Sequence, residues 1–267
     1  MITSSNNAKV KQVVQWQTKA KERRKDHVFL AEGIRMCEEA PVKGVKEVYL
    51  TEELEQKLRQ NAQNGDCAFW DKLQQTGYET VSPEVFAKMA DTQTPQGILT
   101  VLEQPSYDLT QLLEQPDPLF LMLENLQDPG NLGTMIRTGE GAGITGVIMN
   151  NQTVDIFNPK TIRATMGSIF RVPFVYVPEL SPVLAQMHER GIHTYAAHLK
   201  GQKYYDSFSF REPTAFLIGN EGNGLTKEIS DQSGQYLKIP MEGRVESLNA
   251  SIAAALLMYE AHRQRNL

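Results

Sequence analysis

Residues 239–260 read IPMEGRVESLNASIAAALLMYE, and they set the pattern for the second half of the chain. The apolar run YLKIP (236–240) predicts the end of a strand. A polar loop with Gly243, Arg244, Glu246 and Ser247 follows, and an Ala- and Leu-rich run begins at Leu248. Ala and Leu favour helix, and the run is apolar on most sides, so a buried helix is expected over 248–259. Ser247 suits its N-cap, with Asn249 in the first turn. The first N–H groups of such a helix are unpaired and its end is partly positive, so a small ligand or an oxyanion is at home there. A well-capped core helix reads the same way in isolation. Two further loops of this kind upstream make the difference.

The 267 residues suffice for one large domain or two modest ones. With 40% hydrophobic and 22% charged residues, the composition is that of a soluble globular protein. No apolar run reaches the ~18 residues that a membrane span needs. The polar start MITSSNNAKVKQ lacks the apolar core of a secretory leader, so a cytoplasmic location is expected. Cys37 and Cys67 have no metal-type spacing; both are expected to be reduced, and no metal site is expected. The net charge of -5 argues against a general polyanion binder, although a local patch can override the total.

From the N-terminus, 6–20 reads as a helix with Val10, Val13 and Val14 on one side. Lys19, Lys21, Arg23, Arg24 and Lys25 then form a basic run broken only by Ala20 and Glu22. It reads equally as a solvated turn or as a contact for RNA phosphates. Strands at 28–30, 45–51 and 78–82, and another from Ile98, alternate with helices from Ile34, at 52–63 and at 83–90, giving a small α/β unit over 1–103. The stretch QPSYDLTQLLEQPDP (104–118) has three prolines and reads as a linker with one short helical piece. Beyond it, 119–267 shows six strands alternating with helices, which implies a parallel sheet covered on both faces, with ligands beyond the carboxyl ends of the strands.

Three loops follow strand ends in that second unit. They are ENLQDPGNLG (124–133), with Arg137 further into the helix, GNEGNG (219–224), and the loop described first. Together they place Asn131, Arg137, Glu221, Ser247 and Asn249 at one edge of one sheet. A literal G-x-G-x-x-G at 141–146 is set aside, because it ends a helix and precedes a strand, the wrong order for cradling pyrophosphate. His198 follows a strand and reads either as lining the site or, in preference, as a surface residue.

In order and spacing, NLQDPGNLGTMIRTGEGAG, FLIGNEGNGL and IPMEGRVESLNASIAAALLMYE resemble the three motifs of the SpoU (TrmH) family of RNA 2′-O-ribose methyltransferases. FLAEGIRMCEEA and TPQGILTVLE resemble the L30e-like substrate-binding domain often fused to that family. The resemblance implies a C-terminal parallel-sheet α/β domain with a trefoil knot, preceded by an L30e-like RNA-binding domain over 1–103. It also implies S-adenosylmethionine bound in the knot and a homodimer with the active site near its interface. By position, the family's catalytic residues fall on Asn131, Arg137, Glu221, Ser247 and Asn249. Its cofactor contacts fall near Gly219, Ile239 and Leu248, with Met241 and Ala197 close by. The family context favours ribosomal RNA of the large subunit over tRNA. The rival readings are a tRNA ribose methyltransferase, a knotted base methyltransferase, and an RNA-binding protein on this scaffold without catalysis.

Overall fold

The computed structural model describes residues 1–267, which divide into two compact units. The first comprises Met1–Pro105 together with Phe157–Phe170; the second comprises Ser106–Ile156 and Arg171–Leu267.

The first unit opens with α1 (Ala8–Thr18) and α2 (Ala20–Asp26), followed by β1 (Val28–Glu32), α3 (Ile34–Glu39) and β2 (Val45–Thr51). Next come α4 (Glu52–Gln63), α5 (Ala68–Thr76), β3 (Glu79–Val81), α6 (Pro83–Met89) and β4 (Ile98–Glu103). Its sheet has the order β1-β4-β2-β3, with β4 antiparallel to both neighbours and β2 parallel to β3. Val10, Val13 and Trp16 of α1 join Phe86 and Met89 of α6 in the core over Tyr49, Leu99 and Val101. Helix α5 was not expected from the sequence, because its apolar residues Phe69 and Leu73 stand among polar ones.

The stretch 104–118 holds the short helix expected in it and is packed rather than free. It carries α7 (Leu109–Leu113), capped by Asp108, and Leu112 and Leu113 are buried in the core of the second unit. That unit continues with β5 (Leu119–Leu123), α8 (Pro129–Ala142) and β6 (Gly146–Asn150). Here the chain contributes α9 (Pro159–Thr165) to the first unit, where it packs on β1 and sets Phe157 and Phe170 against Phe29, with ring centroids 5.0 and 6.2 Å away. Arg163 pairs with Asp91 at 2.5 Å in the same unit.

The remaining elements are β7 (Phe174–Val177), α10 (Ser181–Glu189), β8 (His193–Ala197), the two-residue β9 (Lys203–Tyr204), β10 (Thr214–Ile218), α11 (Lys227–Gln232), β11 (Gln235–Lys238) and α12 (Ala250–Arg265). The seven strands lie in the order β7-β6-β5-β10-β8-β11-β9, every pairing parallel. The strands β5, β6 and β10 are buried throughout, as their unbroken apolar runs predict. Helices α8 and α12 pack together, and Gly139 of α8 makes room for the Ile144 side chain, which a Cβ there would meet at 2.3 Å. Arg265 ties down the end of α12 by donating to the carbonyls of Phe210, Asp117, Pro118 and Glu212.

Helix α12 departs from the expected all-round burial. Ser251, Ala254, Leu257, Met258 and Ala261 face the core, while Ile252, Leu256 and Tyr259 are 50%, 37% and 48% exposed. The helix is apolar on two sides, and this chain covers only one.

Candidate active site

Three loops meet beyond the carboxyl ends of β5, β10 and β11. The first leaves β5 through Glu124 and through Asn125, whose φ of 56° is left-handed and suits an asparagine. Asp128 then caps α8 by accepting from the Asn131 N–H at 2.7 Å, with Pro129 in the first turn. The second loop, 219–224, folds back on itself. Asn220 and Gly224 form a bridge, and a Cβ on Gly219 would lie 2.1 Å from the Gly224 carbonyl carbon, so no other residue fits there. Asn220 Oδ1 accepts from the Gly222 and Asn223 N–H groups, while its Nδ2 donates to the Asn125 carbonyl at 2.9 Å.

Glu221 joins the first two loops. Its Oε1 accepts from the Asp128 N–H at 2.9 Å and from Asn131 Nδ2 at 3.0 Å, and its Oε2 accepts from the Gln127 N–H at 3.1 Å. Asn131 joins the third loop, because its Oδ1 accepts from Asn249 Nδ2 at 2.9 Å. Asn249 Oδ1 then caps α12, accepting from the Ser251 N–H at 2.8 Å and from Ser251 Oγ at 2.6 Å. One continuous chain of hydrogen bonds, Glu221–Asn131–Asn249, thus links the three motifs. Partial burial opposes ionisation of Glu221, but the donors from Asn131, Asp128 and Gln127 outweigh it and hold the carboxyl below the usual glutamate range.

Beside this network lies a cavity of about 360 Å3. Ala197, Gly219, Ile239, Met241 and Leu248 all line it, as do Glu221 and Ser247. The wall is mixed: apolar Ile218, Leu225 and Leu248 stand with the open backbone of Gly222 and Gly224 and the charged rim of Lys200, Lys238 and Glu246. Such a mixture suits a ligand with both a flat apolar part and a zwitterionic end.

Several expectations need correction. Asn249, not Ser247, is the N-cap of α12; Ser247 is exposed on the cavity wall. Arg137 is exposed on α8 and lines neither the cavity nor the network. Six residues beyond Asn131, it is turned by about 240° around the helix and faces another way. The basic run is helical rather than a turn, and it is not uniformly available. Lys19, Lys21, Arg24 and Lys25 are exposed, but Arg23 is 3% exposed and donates to the carbonyls of Trp16 and Gln17 at 2.7 and 3.3 Å. Arg23 holds α2 against α1 and is withdrawn as an RNA contact.

Residues outside the set named from the sequence brace the site. Buried Glu124 accepts from the N–H and hydroxyl of Thr226, both at 2.7 Å, which anchors the far end of the second loop. Asn150 accepts from the Asn125 N–H at 3.0 Å and donates to Asn125 Oδ1 at 2.8 Å. A polar residue closing an apolar strand, as both Glu124 and Asn150 do, was the available signal.

Comparison with known proteins decides the family. A model of the SpoU rRNA Methylase family matches residues 118–259, and a model of an MRM3-like substrate binding domain matches residues 7–100. The chain belongs to the SpoU rRNA methylase family. As a member it is a methyltransferase acting on RNA with S-adenosylmethionine as donor. The 23S rRNA (guanosine(2553)-2′-O)-methyltransferase RlmP of Bacillus subtilis (strain 168) is 33% identical over 97% of this chain and 97% of its own length. The 23S rRNA (uridine(2479)-2′-O)-methyltransferase of Streptomyces viridochromogenes is 31% identical over 69% of this chain and 67% of its own. The crystal structure of an AdoMet-bound rRNA methyltransferase from Sinorhizobium meliloti superposes with a TM-score of 0.84 at 30% identity, covering 98% of this chain and 97% of that one. The family resemblance and the parallel-sheet α/β fold read from the sequence are both borne out.

Proposed function

We propose that this SpoU methylase methylates a ribose 2′-hydroxyl of large-subunit ribosomal RNA. The observation that carries the reading is the Glu221–Asn131–Asn249 chain, which joins all three motifs beside a cavity sized for a nucleoside-like ligand. The ribosomal target rests on the relatives: one that matches over 97% of both chains and one that matches over about two thirds of both act on 23S rRNA, the first at a guanosine and the second at a uridine. Their difference in base argues that the family chemistry is aimed at the ribose and that base choice lies elsewhere in each protein.

Residues around the cavity fit the cofactor. Leu248, Ile239 and Met241 offer an apolar face to an adenine, and Gly219 and the loop after it offer backbone groups. Lys200 and Lys238 suit a carboxylate, and Glu221 and Glu246 suit cationic groups. Bound S-adenosylmethionine supplies a methyl carbon activated by the adjoining sulfonium, so the protein's work is orientation and charge placement. Asn131 and Asn249 hold the loops, with Glu221 as their common brace. Arg137 orients the 2′-hydroxyl and stabilises the developing alkoxide, since a guanidinium is a permanent cation and hydrogen-bond donor. Lys19, Lys21, Arg24 and Lys25 attract the RNA backbone.

The homodimer belongs to the same proposal. The exposed stripe Ile252, Leu256 and Tyr259 on α12 supports a self-association surface. Arg137, turned away from its own cavity, is then free to serve a partner's. The trefoil knot is likewise proposed; the position of β11 between β8 and β9 supports it. A cytoplasmic location follows from the ribosomal target, and no helix is long and apolar enough to cross a membrane.

The test uses purified protein, methyl-labelled S-adenosylmethionine, and rRNA and tRNA from cells lacking this protein. Label in a 2′-O-methyl nucleotide of 23S rRNA is the expected result; label only in tRNA overturns the target, and label on a base overturns the chemistry. Arg137→Ala is expected to abolish turnover while leaving cofactor affinity within about twofold, as loss of an interaction made only in the transition state requires.

A further inference from the structure

His198 follows β8 and lines the cavity, the less favoured of its two readings from the sequence. Two contacts fix the ring. It stacks on Tyr236 with centroids 4.8 Å apart and planes 16° apart, and its Nδ1 accepts the Lys200 N–H at 3.0 Å. A ring nitrogen that accepts is unprotonated, so in the neutral imidazole the proton sits on Nε2. Tyr236 is held in turn, donating its hydroxyl to Asp231 at 3.0 Å, and Asp231 pairs with Lys227 at 2.9 Å. The imidazole is a built part of the cavity wall.

We infer that His198 reads the charge on the cofactor's sulfur. As a neutral imidazole it admits the sulfonium of S-adenosylmethionine; as an imidazolium it disfavours that cation and leaves the neutral thioether of the product, S-adenosylhomocysteine, unaffected. The inference rests on the proposed cofactor site. Other charged groups face the same space: Lys200 from the same loop, Lys238 from β11, and Glu221 and Glu246 across the cavity, while Asp231 of α11 acts on the ring from outside it. Substrate and product share their adenosine, amino and carboxylate groups. Contributions from those parts cancel in the ratio of the two affinities, which isolates the charge on sulfur. Burial, and then the Lys200 charge, hold the His198 imidazole below the ordinary histidine range, against the opposing pull of Asp231. With its Nδ1 accepting the Lys200 N–H, the ring is neutral until the pH falls below the ordinary histidine range.

Calorimetric titration of S-adenosylmethionine and S-adenosylhomocysteine between pH 8 and 5.5 tests this on the full chain, alongside His198→Gln, which keeps an N–H donor but does not titrate. In the unaltered protein the preference for S-adenosylmethionine should fall as the imidazole takes up its proton, by about fivefold or more once it is fully charged, the lower end of ordinary coupling between two sites. In His198→Gln the ratio should stay flat. Because coupling is reciprocal, NMR should find the His198 imidazole titrating at lower pH in the S-adenosylmethionine complex than in the S-adenosylhomocysteine complex. That measurement needs no variant and decides the matter if His198→Gln fails to fold. A constant ratio in the unaltered protein, an unchanged pH dependence in His198→Gln, or equal imidazole titration in the two complexes overturns the role of His198 while leaving the cofactor site standing. Failure of either compound to bind at any pH overturns the cofactor site, and this inference with it.

Discussion

Glu221→Ala removes one acceptor from three donors at once: the N–H groups of Gln127 and Asp128 and the side chain of Asn131. A hydrogen bond to a charged group contributes about 1.5–3 kcal/mol when water is excluded. Glu221 is exposed, so water replaces much of each bond, and the loss for all three comes to about 2 kcal/mol rather than their sum. For a unit of this size that is a fall of about 4–8 °C in melting temperature. Glu221→Gln should fall about half as far. Its amide oxygen can still serve Asp128 and Asn131, which share Oε1, but its NH2 then faces the Gln127 N–H. The pH dependence has a definite sign. The folded carboxyl is held below its usual range, so its stabilisation is present above the unfolded pKa, about 4.3, and is lost as pH falls through the folded pKa. Scanning calorimetry of the three proteins from pH 7 to 3 should show the gap between native and Glu221→Ala closing below about pH 4.3. Equal melting of native protein and Glu221→Ala at pH 7, or a gap that widens in acid, would refute the placement of Glu221 as the brace.

Asn249→Ala should lower stability by about 1 kcal/mol through loss of the α12 cap. Asn249→Ser restores a cap but not the link to Asn131, so melting should recover while turnover does not. Phe29→Ala should cost about 3–5 kcal/mol in the first unit, measured by urea unfolding, because the ring is buried against Phe157 and Phe170. Neutralising Lys19, Lys21, Arg24 and Lys25 together should reduce the salt dependence of RNA binding by roughly 0.7 in log–log slope for each lost phosphate contact, with cofactor affinity unchanged. Arg23→Gln, by contrast, should show itself as lost stability, read by thermal melting.

How much of this was legible beforehand depends on the range of the interaction. Helix and strand patterns are local, so β5, β6 and β10 stood out as unbroken apolar runs. Three loops at strand ends, each with small and polar residues in a set order, were enough to identify the family. The partners of those residues were not legible. Glu221 and Asn131 are 90 positions apart, and Asn131 and Asn249 are 118 apart, so no local pattern reports that one accepts from the next. Ser247 and Asn249 are both good caps, and the choice fell to Asn249 because its Oδ1 reaches the Ser251 N–H while its Nδ2 holds Asn131. Arg23 looks like its basic neighbours in composition, and only the packing of α2 on α1 turns it inward, where it donates to backbone carbonyls. The transfer of Phe157–Phe170 to the first unit was invisible for the same reason. Sequence alone therefore determined most of the elements, the motifs and the family, because spacing along the chain encodes them. Tertiary structure decided which polar groups meet, which cations are free and where His198 stands, because those depend on contacts between residues distant in the chain.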